Sequence, residues 1–202
     1  MNWTVLLADS HDALRSVVAA VREADGDLPT PCELWTVTQV LQHAAGDQIG
    51  YAAAITGGPG PEYDPFAPSG TLERDPREFL AEALERATAA WSTVEPDAPA
   101  VPNPLPYGPL PAWKAGGACA LDAAVHAWDL AVALGRPSPL TDAMARDLLT
   151  VAREIVDPLR AWGAYAPAVP LPTPGPSDGA ENPADDLAVL LAYLGRDPAW
   201  HR

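Results

Sequence analysis

A single lysine, Lys114, stands in the whole chain, and the other eleven of its twelve basic residues are scattered arginines that never form a run. Against them stand 27 acidic residues, giving a formal net charge of −15 over 202 residues. Nucleic-acid affinity draws on clustered lysine and arginine, so a phosphate backbone or an anionic membrane is excluded as a partner class. Cysteine is nearly absent: Cys32 and Cys119 lie far apart and make no disulfide framework, which fits reduced thiols and a cytoplasmic setting. No apolar run approaches the roughly 18 residues that a membrane span needs. The opening MNWTVLLADSHD has no basic n-region, so no signal peptide is expected. Aromatic residues are only 7% of the chain.

Proline is not scarce. The 24 prolines cluster in three stretches and leave long proline-free blocks with helical apolar spacing. Residues 2–23 carry Trp3, Leu7, Leu14, Val18 and Val21 on one stripe, with His11 among them. A second helix is expected from Trp35 to Ile55, stopped by Gly57-Gly58-Pro59. Asp75-Pro76 opens a third, with Phe79, Leu80, Ala83, Leu84, Ala87 and Trp91 on its stripe. A shaped loop over Glu95–Pro111 holds eight prolines and glycines. Helix four spans Ala112–Leu134, a fifth 139–162, and a short last helix 183–194 follows a proline-rich crossing at 167–176. With no strand pattern, the expected fold is an all-α bundle forming one domain over 1–202.

Chemistry-bearing side chains concentrate on helices two and four. Asp122 and His126 are four apart and leave one face of helix four. His43 lies beside the apolar stripe of helix two. Two imidazoles and a carboxylate from facing helices are the ligand set of a catalytic zinc, which keeps a fourth position open. The same spacing also fits a hydrogen-bonded pair and an ordinary core histidine. His11 reads as a buried, hydrogen-bonded core residue or as an extra ligand or proton shuttle. Asp47, four after His43, reads either as an acceptor that orients that imidazole or as an exposed carboxylate. Asp129 reads as a pairing residue within the bundle. Both cysteines read as small buried hydrophobes without a basic sequence neighbour.

Thr30-Pro31-Cys32-Glu33-Leu34-Trp35-Thr36-Val37, continuing to Leu41-Gln42-His43, resembles the opening motif of the DinB-like, mycothiol-dependent maleylpyruvate isomerase superfamily. Pro106-Tyr107-Gly108-Pro109-Leu110-Pro111 is similar to its proline-rich loop, and His126-Ala127-Trp128-Asp129-Leu130-Ala131 to its H-x-WDLA helix. Gly135-Arg136-Pro137 and Leu194-Gly195-Arg196-Asp197-Pro198-Ala199-Trp200 follow in the same order. The resemblance implies a DinB-type four-helix bundle with additional C-terminal helices. It also implies a divalent metal, most often Zn2+, on His43, Asp122 and His126. Aspartate at 122 departs from the glutamate of the zinc-binding isomerases and is one methylene shorter.

Mycothiol is the implied thiol cosubstrate, acting on a small electrophile by isomerisation or transfer, in a monomer or homodimer. Tyr107 and Trp113, flanking the start of helix four, are expected at the pocket mouth. The isomerases carry a further C-terminal domain, whereas about 40 residues follow helix five here. That leaves Arg136, Arg160 and Arg196 for carboxylate recognition and places maleylpyruvate itself in doubt. Two other readings remain open: a metal-dependent hydrolase, and a non-catalytic small-ligand bundle with a weakened metal site.

Overall fold

The computed structural model describes residues 1–202 except 33, 162 and 172–184. It is all-helical, and among the described residues the extended backbone is limited to two isolated bridges, Pro29 with Thr36 and Val101 with Leu110. The helices are α1 (Trp3–Val18), α2 (Val37–Thr56), α3 (Pro76–Trp91), α4 (Ala112–Ala133), α5 (Asp142–Arg160) and α6 (Asp186–Tyr193). The last helix falls within the expected 183–194, and most of the 167–176 crossing lies outside the described residues.

Local chemistry sets the boundaries. Asn2 caps α1 by accepting from the Thr4 amide. α1 stops at Val18, short of the expected 23, because Arg22 and Asp25 exchange side-chain and backbone hydrogen bonds around a short 3-10 turn. α2 begins two residues later than expected. Thr36 and Gln39 form a capping box there, satisfying amides that the helix leaves free. Asp75 caps α3 with Pro76 at its first position, and Thr141 caps α5.

α4 is the axis of the molecule. Apart from Trp113, Lys114 and Val132 it is buried all round, so it is the one helix enclosed by others. α1, α2 and α5 pack on it, α3 packs on α2, and α6 packs on α5. This is a four-helix bundle with two helices added at its C-terminal side. Alanines on α4 let α1, α2 and α5 approach closely, while Leu14, Leu41, Leu84, Leu121, Leu130 and Leu148 fill the space between them. Gln48 of α2 lies beside Cys119 and Asp122 of α4, so the two helices run antiparallel. That register brings His43 opposite His126. No helix is long and apolar enough to cross a membrane among the described residues.

Candidate metal centre

His43, Asp122 and His126 converge in the buried space between α2 and α4. His43 Nε2 lies 3.6 Å and His126 Nε2 3.4 Å from Asp122 Oδ1. The two imidazole rings meet edge to face at 4.8 Å. A tetrahedral ion with bonds of about 2.0–2.1 Å holds its donors about 3.4 Å apart, so this set fits a divalent ion of the zinc type. Although one methylene shorter than glutamate, Asp122 brings Oδ1 within this spacing of both imidazoles.

Each imidazole is oriented from behind. The carbonyl of Pro65 accepts from His43 Nδ1 at 2.9 Å. A carbonyl can only accept, so Nε2 of His43 is the nitrogen left facing the set. His126 Nδ1 lies 2.9 Å from Asp129 Oδ2, and Asp129 is fully buried. The expected orienting role of Asp47 is corrected here. Its carboxylate approaches His43 from the Nε2 side at 3.9 Å, among the donors and not behind the ring.

Electrostatics separates the carboxylates. Burial would raise the Asp122 pKa, but the His126 and His43 imidazoles outweigh it and hold the group well below the usual carboxylate range. Burial and the neighbouring Asp122 charge push Asp47 up, to about 7. For His126, burial opposes the charged form, yet Asp122 and Asp129 prevail and raise it well above its ordinary value. Burial lowers His11, whose Nε2 is 2.8 Å from Gln48 Oε1. Gln48 also reaches Asp122 Oδ2 at 3.5 Å. His11 is therefore the neutral, hydrogen-bonded residue of the two readings, one side chain removed from the donors.

The connection between α2 and α3 roofs the site. Gln42 of α2 donates to Ser69 Oγ and to the Thr71 carbonyl and accepts from the Gly70 amide, and Tyr63 donates back to the Gln42 carbonyl. The Trp35 ring lies tilted against His43 with centres 4.6 Å apart, and Phe66 meets the same imidazole edge to face at 5.3 Å. Phe66 is 65% exposed, which makes an apolar rim. A Cβ at Gly46 would lie 2.7 Å from Pro65 Cγ, so glycine is what lets this roof touch α2. Gly46→Ala is expected to cost about 1–3 kcal/mol by overpacking, more than the helix propensity of at most about 1 kcal/mol that it gains. Chemical denaturation reads the difference, and a stabilised variant would refute the contact.

Other expected residues lie elsewhere. The Tyr107 hydroxyl donates to the Ile155 carbonyl at 2.8 Å, and Trp113 sits at the start of α4 beside Lys114. Thirteen residues of helix, about 20 Å, separate Trp113 from His126. The structure does not bring either residue to the donor set. Arg160 is engaged by Asp157 and the Tyr193 carbonyl, and Arg136 is exposed beyond α4. Cys119 is buried and its thiol is pushed well up by burial, as expected of a small core residue. Cys32 does have a basic neighbour after all: Arg196 Nη2 lies 3.3 Å from its sulfur.

The sequence profile of the mycothiol maleylpyruvate isomerase N-terminal domain matches residues 7–131. Two uncharacterized proteins of Mycobacterium tuberculosis strains, Rv0738 and MT0763, are each 31% identical over 189 residues, 93% of this chain and 93% of theirs. Crystal structures of a mycothiol-dependent maleylpyruvate isomerase and of its histidine-to-alanine mutant superpose with TM-scores of 0.57 and 0.58. At 20% identity, over 84% of this chain and 75% of theirs, that likeness is one of fold.

Proposed function

Because this chain belongs to the mycothiol maleylpyruvate isomerase N-terminal domain family, we propose that it is a metal-dependent, mycothiol-using transferase or isomerase acting on a small electrophile. The observation that carries this reading is the His43–Asp122–His126 set, spaced for one ion, with Asp47 on the same side. These three residues would hold a divalent ion, zinc being the best match to two imidazoles and a carboxylate. Such an ion supplies Lewis acidity that favours the thiolate form of a thiol beside it.

The chain's own residues do the rest. Asp47 Oδ2, placed on the donor side 3.9 Å from His43 Nε2, accepts the thiol proton. Pro65 and Asp129 keep both imidazoles aimed, and Trp35 and Phe66 shield the His43 side from water. The mycothiol sulfur then adds to a conjugated cis alkene. Rotation about the resulting single bond and loss of the same thiol give the trans isomer. With a leaving group on the electrophile, that group departs with the proton taken by Asp47, and the thioether is the product. The site side chains include two carboxylates and an aromatic rim, and the nearby Arg196 is already paired with Asp129. An electrophile with little anionic charge fits these surroundings better than a dicarboxylate.

The test is turnover by zinc-loaded protein of a neutral cis-enedione and of an electrophile with a leaving group, with and without mycothiol. Turnover should require the thiol, and Asp47→Asn should lower it by about 100- to 10,000-fold with zinc still bound. Thiol-independent hydrolysis would overturn the reading in favour of water as nucleophile.

A further inference from the structure

Arg196 lies beyond α6, and the chain reaches it through Gly195 at φ 81°. A Cβ at Gly195 would sit 2.8 Å from both the Pro167 carbonyl oxygen and the Ala166 Cβ. Glycine therefore permits a tight turn against residues 166–167, closed by the Arg196 amide on the Leu191 carbonyl. The turn sends the Arg196 side chain inward to α4, where only 11% of it stays exposed.

There the guanidinium is fully engaged. Nε faces Asp129 Oδ1 at 3.3 Å, and Nη2 faces Oδ2 at 3.0 Å and Cys32 Sγ at 3.3 Å. Nη1 donates to the Leu194 carbonyl at 3.2 Å. Asp129 Oδ2 also accepts from the Cys32 thiol at 3.2 Å and from His126 Nδ1 at 2.9 Å. Cys32, His126 and Asp129 form a second cluster of metal-ligand type. A cation there would duplicate the positive charge that Arg196 already places on Asp129 and Cys32. Substrate recognition by Arg196 is equally closed, since each of its nitrogens has a partner inside the protein.

A planar fork on both oxygens of a carboxylate fixes its position as a point charge would not. With Asp129 so fixed and accepting from Nδ1, His126 turns Nε2 to the donor set, 3.4 Å from Asp122. We propose that Arg196 is a positioning residue of the metal centre, clamping Asp129 against His126 so that the seating of the segment after α6 readies the site for its ion. The proposal rests on the metal-centre reading. It needs no particular substrate.

The experiment uses the full chain, zinc alone as probe, a competing chelator, and nitrogen-15 NMR of the histidine rings. Arg196→Met should lower zinc affinity about 10- to 100-fold although all three ligands remain, the range for loss of an outer partner of a metal-bound histidine. In the zinc-loaded wild type, His126 Nδ1–H should be a slowly exchanging downfield signal. In Arg196→Met that signal should be lost, while the His43 Nδ1–H, held by Pro65, stays unchanged. Asp129→Asn should weaken zinc to the same degree, and combining the two changes should add less than about threefold, as for members of one network. If Arg196→Met does not fold, Arg196→Lys carries the same readout, with a smaller loss confined to His126. A folded variant with zinc affinity within about threefold of wild type and an intact His126 signal would overturn the proposal. So would equal loss of both histidine signals, since that marks a scaffold role. A wild type that binds no zinc would instead overturn the metal reading itself.

Discussion

Protein purified without a metal-binding tag is expected to carry close to one divalent ion per chain by elemental analysis, and His43→Ala and His126→Ala are each expected to lose it. The donors come from two helices that pack on each other through the buried core, which holds the three side chains near one another. Removing either imidazole leaves one nitrogen and one carboxylate, too few to hold zinc against water. The expected fall in affinity is at least about 1,000-fold, beyond the roughly 10- to 100-fold that follows loss of an outer partner. The fold should survive both changes. His43 and His126 keep 7% and 5% of their surface exposed at the edge of the space between α2 and α4, whereas Leu41, Leu121 and Leu130 fill the interior and stay in place. Zinc titration followed by melting temperature is the check: wild type should gain stability with zinc and the variants should not. If wild type neither holds zinc nor gains stability from it, both histidines are bundle residues and a non-catalytic ligand-binding role takes precedence.

How much of this was legible in the sequence depended on how far each signal reaches along the chain. Apolar periodicity and its punctuation are local, so α4 was readable nearly to the residue, from Pro111 to the Gly135 stop. The C-terminal end of α1 was placed five residues too far, and the ends of α5 two or three residues too far. There the deciding groups were single side chains, Arg22 with Asp25 and the Thr141 cap. Asp122 and His126 announced themselves by a four-residue spacing, and His43 by its place in a motif. The groups that orient them did not. Pro65 acts through its carbonyl, and a backbone acceptor leaves no trace in residue type. Arg196 meets Asp129 across 67 positions and Cys32 across 164. Cys32 therefore looked like a thiol without basic company. Tyr107 and Trp113 failed for the complementary reason: a position near the start of α4 is near the site in sequence, yet the helix carries the donors far along its axis.

Zinc affinity is expected to fall about tenfold for each pH unit of acidification below the raised His126 pKa. The reason is competition for one lone pair. Burial disfavours the His126 imidazolium, but Asp122 and Asp129 outweigh burial and raise its pKa well above the ordinary value. Wherever His126 is protonated in the metal-free protein, the ion must displace that proton. Stability must then respond to pH in opposite senses with and without metal. A raised histidine pKa stabilises the fold fully below the unfolded value of about 6.5, and that contribution is lost as pH rises through the folded value. The metal-free melting temperature should therefore fall from pH 6.5 upward. With zinc in excess it should rise over the same range, because the ion takes the place of the departing proton. Asp122 and Asp129 are held low despite burial, by the two histidines and by Arg196 with His126 respectively. Their contribution is present above about pH 4 and disappears only in stronger acid. On acidification, metal release should accordingly precede acid unfolding as a separate event. Melting temperatures measured against pH, with zinc and with a chelator, decide it: parallel slopes would mean that the His126 proton and the ion do not compete for one site.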